Sequence, residues 1–99
     1  MPYRREDERL PISGAVRLFW EDEHGQQHLC RADALDVSAS GLSVTVRMRI
    51  PLRTLVQVES LVNQVQGIAK VRRCEQKGLN YVVGLEFVGG TKQSKMRYS

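Results

Sequence analysis

The sequence has no long apolar run, little cysteine, few aromatic residues and no sustained helical period, and each shortage removes a class of protein. Its longest uninterrupted apolar stretches are a few residues, far short of the roughly 20 that a membrane-crossing helix requires. The leader Met1-Pro-Tyr-Arg-Arg-Glu-Asp-Glu-Arg9 carries no apolar core of the kind a secretion signal needs, so a cytoplasmic chain without membrane insertion is expected. Cys30 and Cys74 lie far apart and form no CxxC motif. Without a secretory leader they are expected to be reduced, buried thiols that act as small hydrophobes. His24 and His28 flank a Gly-Gln-Gln turn with no thiol or carboxylate at ligand spacing. Exposed hairpin residues, not a zinc site, are the expectation there.

Catalytic signatures are missing as well. There is no GxSxG, HExxH or GxxxxGK, and the carboxylates come in the runs Glu6-Asp7-Glu8 and Glu21-Asp22-Glu23. Such runs belong to a polar arm and a hairpin tip, where they are solvated, not to a positioned acid–base pair. The chain is therefore expected to be a non-enzyme that needs no cofactor.

What remains is a chain of 99 residues, enough for one domain with one core. Its formal net charge of +4 is unevenly spread. Residues 1–50 carry seven Lys/Arg against eight Asp/Glu, whereas residues 51–99 carry eight against three. A basic second half invites an anionic partner. Single-stranded nucleic acid is one such partner, but it needs aromatic stacking platforms beside a basic groove. The six aromatics of this chain are too few once Tyr81, Phe87 and either Phe19 or Trp20 are given to the core. Nucleic acid is thus not expected.

The dominant positive signal is period-two alternation. Leu42-Ser43-Val44-Thr45-Val46-Arg47-Met48 is apolar at every even position, which puts Leu42, Val44, Val46 and Met48 on one sheet face. Asn80 to Val88 repeats the pattern, with Tyr81, Val83, Leu85 and Phe87 inward and Gly84 outward. Further strands are expected at Ile12–Trp20, Gln27–Ala34 and Leu55–Glu59. Val65–Cys74 is also β-like, although either of its faces could be the buried one. Turns fall at Glu21–Gly25 and at Lys77-Gly78, where glycine supplies a positive φ. Six short strands with turn residues between them indicate a small all-β protein: a six-stranded antiparallel β-barrel, closed so that no edge strand is exposed. Residues 1–10 would be a flexible N-terminal arm, 11–90 the barrel, and 91–99 a short tail with at most a turn of helix. Gly89-Gly90 would break the last strand.

Two polar segments are not explained by folding alone. One is Arg4-Arg5-Glu6-Asp7-Glu8-Arg9, and the other is Asp36-Val37-Ser38-Ala39-Ser40-Gly41 between two strands. Taken singly, the first reads as a solubilising tail. The second reads as a turn in which Asp and Ser bond nearby amides and Gly41 turns the backbone. Taken together, Arg5-x-x-x-Arg9 followed by Asp36-x-Ser38-x-x-Gly41 resembles the two-part signature of PilZ domains, bacterial receptors for cyclic di-GMP. Gly84-Leu85-Glu86-Phe87 looks like the Gly-x-x-Phe of that family's last strand, so the resemblance spans about residues 3–88.

The resemblance implies a cyclic di-GMP site built from Arg4, Arg5, Arg9, Asp36, Ser38 and Gly41, with Gly84 leaving room for a base. The chemistry suits that ligand. A guanidinium offers a planar donor fork for phosphate oxygens or for the O6/N7 edge of guanine, and it stacks on purine faces. Lysine lacks that fork. Asp36 is an acceptor pair for guanine N1–H and N2–H2, and Ser38 adds a further bond. In the family, an arginine directly before the motif accompanies two intercalated ligand molecules, so Arg4 implies a dimeric ligand. Arg72 and Arg73 occupy adjacent strand positions, so at most one of them is expected to face it, and Trp20 is expected to pack in the core or at its rim.

The arm has no apolar residue between Tyr3 and Leu10. It cannot offset an ordering cost of about 1–2 kcal/mol per residue by burial. Charge-assisted bonds to phosphate could, so the arm is expected to fold over the barrel with ligand and present a new surface to an effector protein. Two alternatives are a basic barrel for single-stranded nucleic acid and a PilZ-like protein-interaction module that has lost its ligand.

Overall fold

A computed structural model describes residues 8–60 and 65–88. Among the described residues it is all-β, with seven strands: β1 (Leu10–Pro11), β2 (Ala15–Glu21), β3 (Gln27–Val37), β4 (Gly41–Val46), β5 (Leu55–Ser60), β6 (Val65–Lys77) and β7 (Asn80–Phe87). All pairings are antiparallel, in the order β1-β3-β2-β5-β6-β7-β4, and β3 also pairs with β4. That last pairing closes β2 to β7 into a six-stranded barrel, with β1 as one extra short strand. The arm residues before Glu8 and the tail after Val88 lie outside the described residues, as do Gly89 and Gly90.

The alternation read from the sequence sets the core. Val16, Leu18, Val44, Val56, Val58, Val71 and Val83 are buried inside the ring, where β-branched side chains pack well on a pleated surface. Trp20 joins them, and its ring stacks on His28 with centroids 5.1 Å apart. Tyr81 and Phe87 pack partly buried against the same cluster. The ambiguous strand resolves with Ala69 and Val71 inward and Ile68 outward. Met48 departs from its expected place. β4 ends at Val46, the chain bends, Met48 becomes exposed, and Ile50 fills the core instead.

Three departures from regular pairing shape the rest. The expected strand from Ile12 is interrupted: Leu10–Pro11 and Ala15–Glu21 both pair with β3, but their registers differ by one residue. The break falls at Gly14, whose φ of 127° is one that L side chains rarely adopt. On β3 the register to β4 slips between Ala34 and Asp36, making Leu35 a bulge. On β6 it slips between Val71 and Arg73, making Arg72 a bulge. Each inserted residue reverses the face of everything beyond it.

The cysteines are free and half-buried. Burial raises the Cys30 thiol pKa above its ordinary value. His28 is not the exposed hairpin residue expected. Its Nε2 lies 2.9 Å from Asp22 Oδ2, while Asp22 Oδ1 accepts the amides of His24 and Gln26, each at 2.9 Å. The local polar bonds of the turn draw the ring in beside Trp20. His24 is exposed.

Candidate functional site

The Leu35 bulge decides where Asp36 points. On a regular strand Asp36 would share the phase of Ala32 and Ala34, both buried. The inserted residue turns it to the outer face, opposite Ser43, and sends Val37 inward to pack on the core. The hairpin then closes tightly, with the Ser38 amide donating to the Gly41 carbonyl at 2.9 Å. Within the loop the Ser40 amide donates to Ser38 Oγ at 3.3 Å.

Arg9 lies across this loop. Its Nε donates to Asp36 Oδ1 at 2.6 Å, its Nη1 to Ser38 Oγ at 3.4 Å and its Nη2 to Ser43 Oγ at 3.2 Å. One guanidinium thus holds three acceptors on two strands and their connecting loop, and the planar fork is the group suited to do so. The Arg9–Asp36 pair is itself accessible, with side chains 45% and 32% exposed. Ser43 beneath is only 4% exposed. Arg9 is held in place because Leu10 and Pro11 pair with Val37 and Asp36, so the last residue of the expected arm is already part of the sheet.

Gly41 lines this face of the barrel, but without the left-handed turn expected of it. It is not among the glycines with positive φ. A β-carbon there would stand 2.2 Å from the Leu85 carbonyl oxygen, closer than van der Waals contact permits. The residue is glycine because β4 and β7 approach closely at that point.

The Arg72 bulge corrects the expectation that only one of two adjacent arginines faces the site. Arg73 pairs with Gly84 and Cys74 with Val83. Arg73 therefore falls on the outer face, together with the bulged Arg72. Arg72 Nε lies 3.0 Å from Glu86 Oε1. A β-carbon on Gly84 would be 3.5 Å from Arg73 Nη2, so Gly84 is the floor over which that guanidinium lies. Gly84 does face outward, as expected, opposite Ser43.

These elements enclose a shallow cleft of about 270 Å³ bounded by Arg9, Ser43, Arg72, Arg73, Gly84 and Glu86. Three guanidiniums face one carboxylate there, an arrangement suited to an anion with planar hydrogen-bonding edges. Asp36 and Ser38 are not part of its lining and are joined to it by their bonds to Arg9. Arg4 and Arg5 lie outside the described residues. A larger groove of about 840 Å³ lies at the opposite end of the barrel, near Trp20 and Leu52, and has none of the signature residues. No cluster of metal ligands occurs among the described residues.

The pattern does not single out Ser43, and it marks Arg72 and Arg73 only as an adjacent pair of which at most one could face the ligand. Ser43 is simply one of the polar positions on an alternating strand, and nothing local reveals that Asp36 and Arg9 converge on it. Arg73 did carry a signal: a charged residue in phase with Ala69 and Val71 contradicts an inward position, and a bulge resolves the contradiction.

The family model described as PilZ domain matches residues 3–98, nearly the whole chain. No curated protein matches it.

Proposed function

The chain belongs to the PilZ domain family, whose members are generally cyclic di-GMP-binding modules without catalytic activity, and on that premise we propose that it is a cyclic di-GMP receptor that signals to an effector protein. The observation that carries this reading is Arg9 bonded at once to Asp36, Ser38 and Ser43: the two halves of the signature meet at one place on the barrel wall. Arg73 and Arg72 widen that place into a cationic cleft.

In this reading Asp36 and Ser38 accept from a guanine edge. Arg9 exchanges part of its bonding from Asp36 to the ligand, while Arg73 over Gly84 meets a phosphate or stacks on a base. Arg5 closes the clamp. Arg4 extends it to a second, intercalated ligand molecule. The leader before Arg9 packs down as these charge-assisted bonds form, giving the effector a new surface. Among the described residues no helix is long and apolar enough to cross a membrane, and a cytoplasmic location follows from the ligand proposed.

Calorimetric titration with cyclic di-GMP, with GTP and single-stranded DNA as controls, tests the reading. Saturable binding of the cyclic dinucleotide alone is expected, and two ligand molecules per chain would bear out the role of Arg4. Equal heats from all three ligands, or none from the first, would remove the proposal.

A further inference from the structure

Beyond the closed ring the β6–β7 hairpin runs on alone. β6 has 13 residues and β5 six, and their pairing ends at Leu55 and Lys70. One further contact follows, in which Val71 donates its amide to the Thr54 carbonyl and accepts the Arg53 amide. There a turn carries the chain off the sheet: the Thr54 amide bonds back to the Pro51 carbonyl, and Arg53 takes a φ of 72°. From Arg72 to Lys77, β6 therefore has β7 on one side and no described strand on the other.

The hairpin turn fixes which backbone groups this leaves bare. Gly78 and Leu79 form a two-residue connection between Lys77 and Asn80, so those two are a bonded pair and bonded positions alternate from there. Lys77, Glu75 and Arg73 aim their amides and carbonyls at β7. Cys74 and Gln76 aim theirs away from it, and no backbone partner meets either among the described residues. On the outer face of the same stretch Arg73, Glu75 and Lys77 are exposed, opposite the uncharged Gly84, Val82 and Asn80. None of the three has an ion pair among the described residues.

An open edge is completed by another β-strand, whose backbone supplies the missing bonds. The charges decide which strand. In a copy of this chain laid antiparallel over the same residues, Arg73 meets Lys77, Glu75 meets Glu75 and Lys77 meets Arg73. Like charges directly opposite destabilise a sheet, so the edge rejects itself, as soluble sheets do to avoid aggregation. A strand with acidic, basic and acidic residues at alternate positions reverses all three contacts, and that order reads the same in both directions.

We propose that residues 73–77 of β6 bind an extended segment of a partner protein by strand addition, and that this segment carries the outer-face pattern acidic-x-basic-x-acidic. Cys74 and Gln76 supply the backbone bonds, while Arg73, Glu75 and Lys77 supply the selectivity. Arg73, which lies over Gly84, turns toward the edge to meet its acid. With two residues bonding, the contact is small, as transient encounters are. The inference does not depend on which ligand the cleft takes.

The test is amide exchange and NMR titration on the full chain. Alone, Cys74 and Gln76 should exchange faster than Arg73, Glu75 and Lys77. The probe is the peptide Thr-Thr-Glu-Val-Lys-Val-Glu-Thr-Thr, with Thr-Thr-Glu-Val-Glu-Val-Lys-Thr-Thr as a control of equal composition. The probe should slow exchange at Cys74 and Gln76 and bind at least about threefold more tightly than the control. Glu75→Lys should weaken it by a similar factor, and glutamate in place of the probe's central lysine should restore it. Gln76→Pro removes an amide that points away from β7, so the melting temperature should hold while strand addition is lost. Should proline itself unsettle the strand, the charge exchange at the exposed Glu75 decides. Slow exchange at Cys74 and Gln76 in the chain alone would overturn the proposal, because the edge would already be covered by the rest of the chain or by a copy. So would equal affinity for the two peptides, a titration that leaves both amides unshifted, or binding that survives Gln76→Pro.

Discussion

Arg9 and Asp36, separated by 26 residues of chain, are partners in the structure, with Nε 2.6 Å from Oδ1. The acceptor that would read a guanine is therefore already bonded, and a ligand must share or displace Arg9 to reach it. The pair is accessible to water, and exposed pairs contribute only about 0.2–1 kcal/mol. The exchange is consequently cheap, and a ligand bringing several charge-assisted bonds can drive it.

Arg9→Ala and Asp36→Ala are each expected to weaken cyclic di-GMP binding at least about tenfold, which corresponds to 1.4 kcal/mol. The melting temperature of the ligand-free protein should fall by no more than a few degrees. Arg9→Lys should not rescue binding, because an ammonium cannot span Asp36, Ser38 and Ser43 together. Calorimetry and thermal melts on the same samples check both parts. A large loss of stability from Asp36→Ala would make the loop a turn and nothing more.

The two glycines of the site should respond differently to a methyl group. Gly41→Ala drives a β-carbon into the Leu85 carbonyl, and the backbone of β7 cannot yield without breaking its pairing. About 1–3 kcal/mol of destabilisation is expected, the usual range for overpacking, measured by denaturant unfolding. Gly84→Ala meets only the Arg73 side chain at ordinary contact distance. Its fold should survive, and any change should appear in ligand affinity.

Arg73→Ala should reduce cyclic di-GMP affinity more than Arg72→Ala, because Arg72 is engaged by Glu86 at 3.0 Å and Arg73 has no ion pair among the described residues. Glu86→Gln frees Arg72 and removes the one carboxylate that lines the cleft, so tighter binding with a steeper salt dependence is expected. Titrations at two ionic strengths decide it. Weaker binding by Glu86→Gln would mean that the ligand does not approach from this side.

The β2–β3 hairpin should loosen in acid. The bond to the His28 ring, with the Gln26 and His24 amides, lowers the Asp22 carboxyl pKa from 3.8 to about 2. A depressed carboxylate stabilises the fold fully above its unfolded value and loses that contribution as pH falls through its folded one. Amide exchange at His24 and Gln26 should therefore accelerate between about pH 4 and pH 2. In Asp22→Asn that acceleration should be absent.

Period-two patterning made the strands legible, and the turn residues at Gly25 and Gly78 separated them. The loop Asp36–Gly41 was legible as a unit because its residue types are unusual between two apolar segments. The orientation of side chains beyond Leu35 and Arg72 was not legible, because a bulge adds one residue without changing composition, and only long-range pairing shows it. For the same reason Ser43 looked like an ordinary polar position: its burial comes from Arg9, 34 residues away. Met48 failed because alternation continues in the sequence past the point where β4 leaves the sheet.

With Arg72 bulged out, Val71 and Cys74 hold the phase they would have on a regular strand one residue shorter. Loss of that single codon would give a barrel with the same interior and one cation fewer around the cleft. Divergence among such barrels can therefore retune their appetite for anions by strand length, with every core residue left untouched.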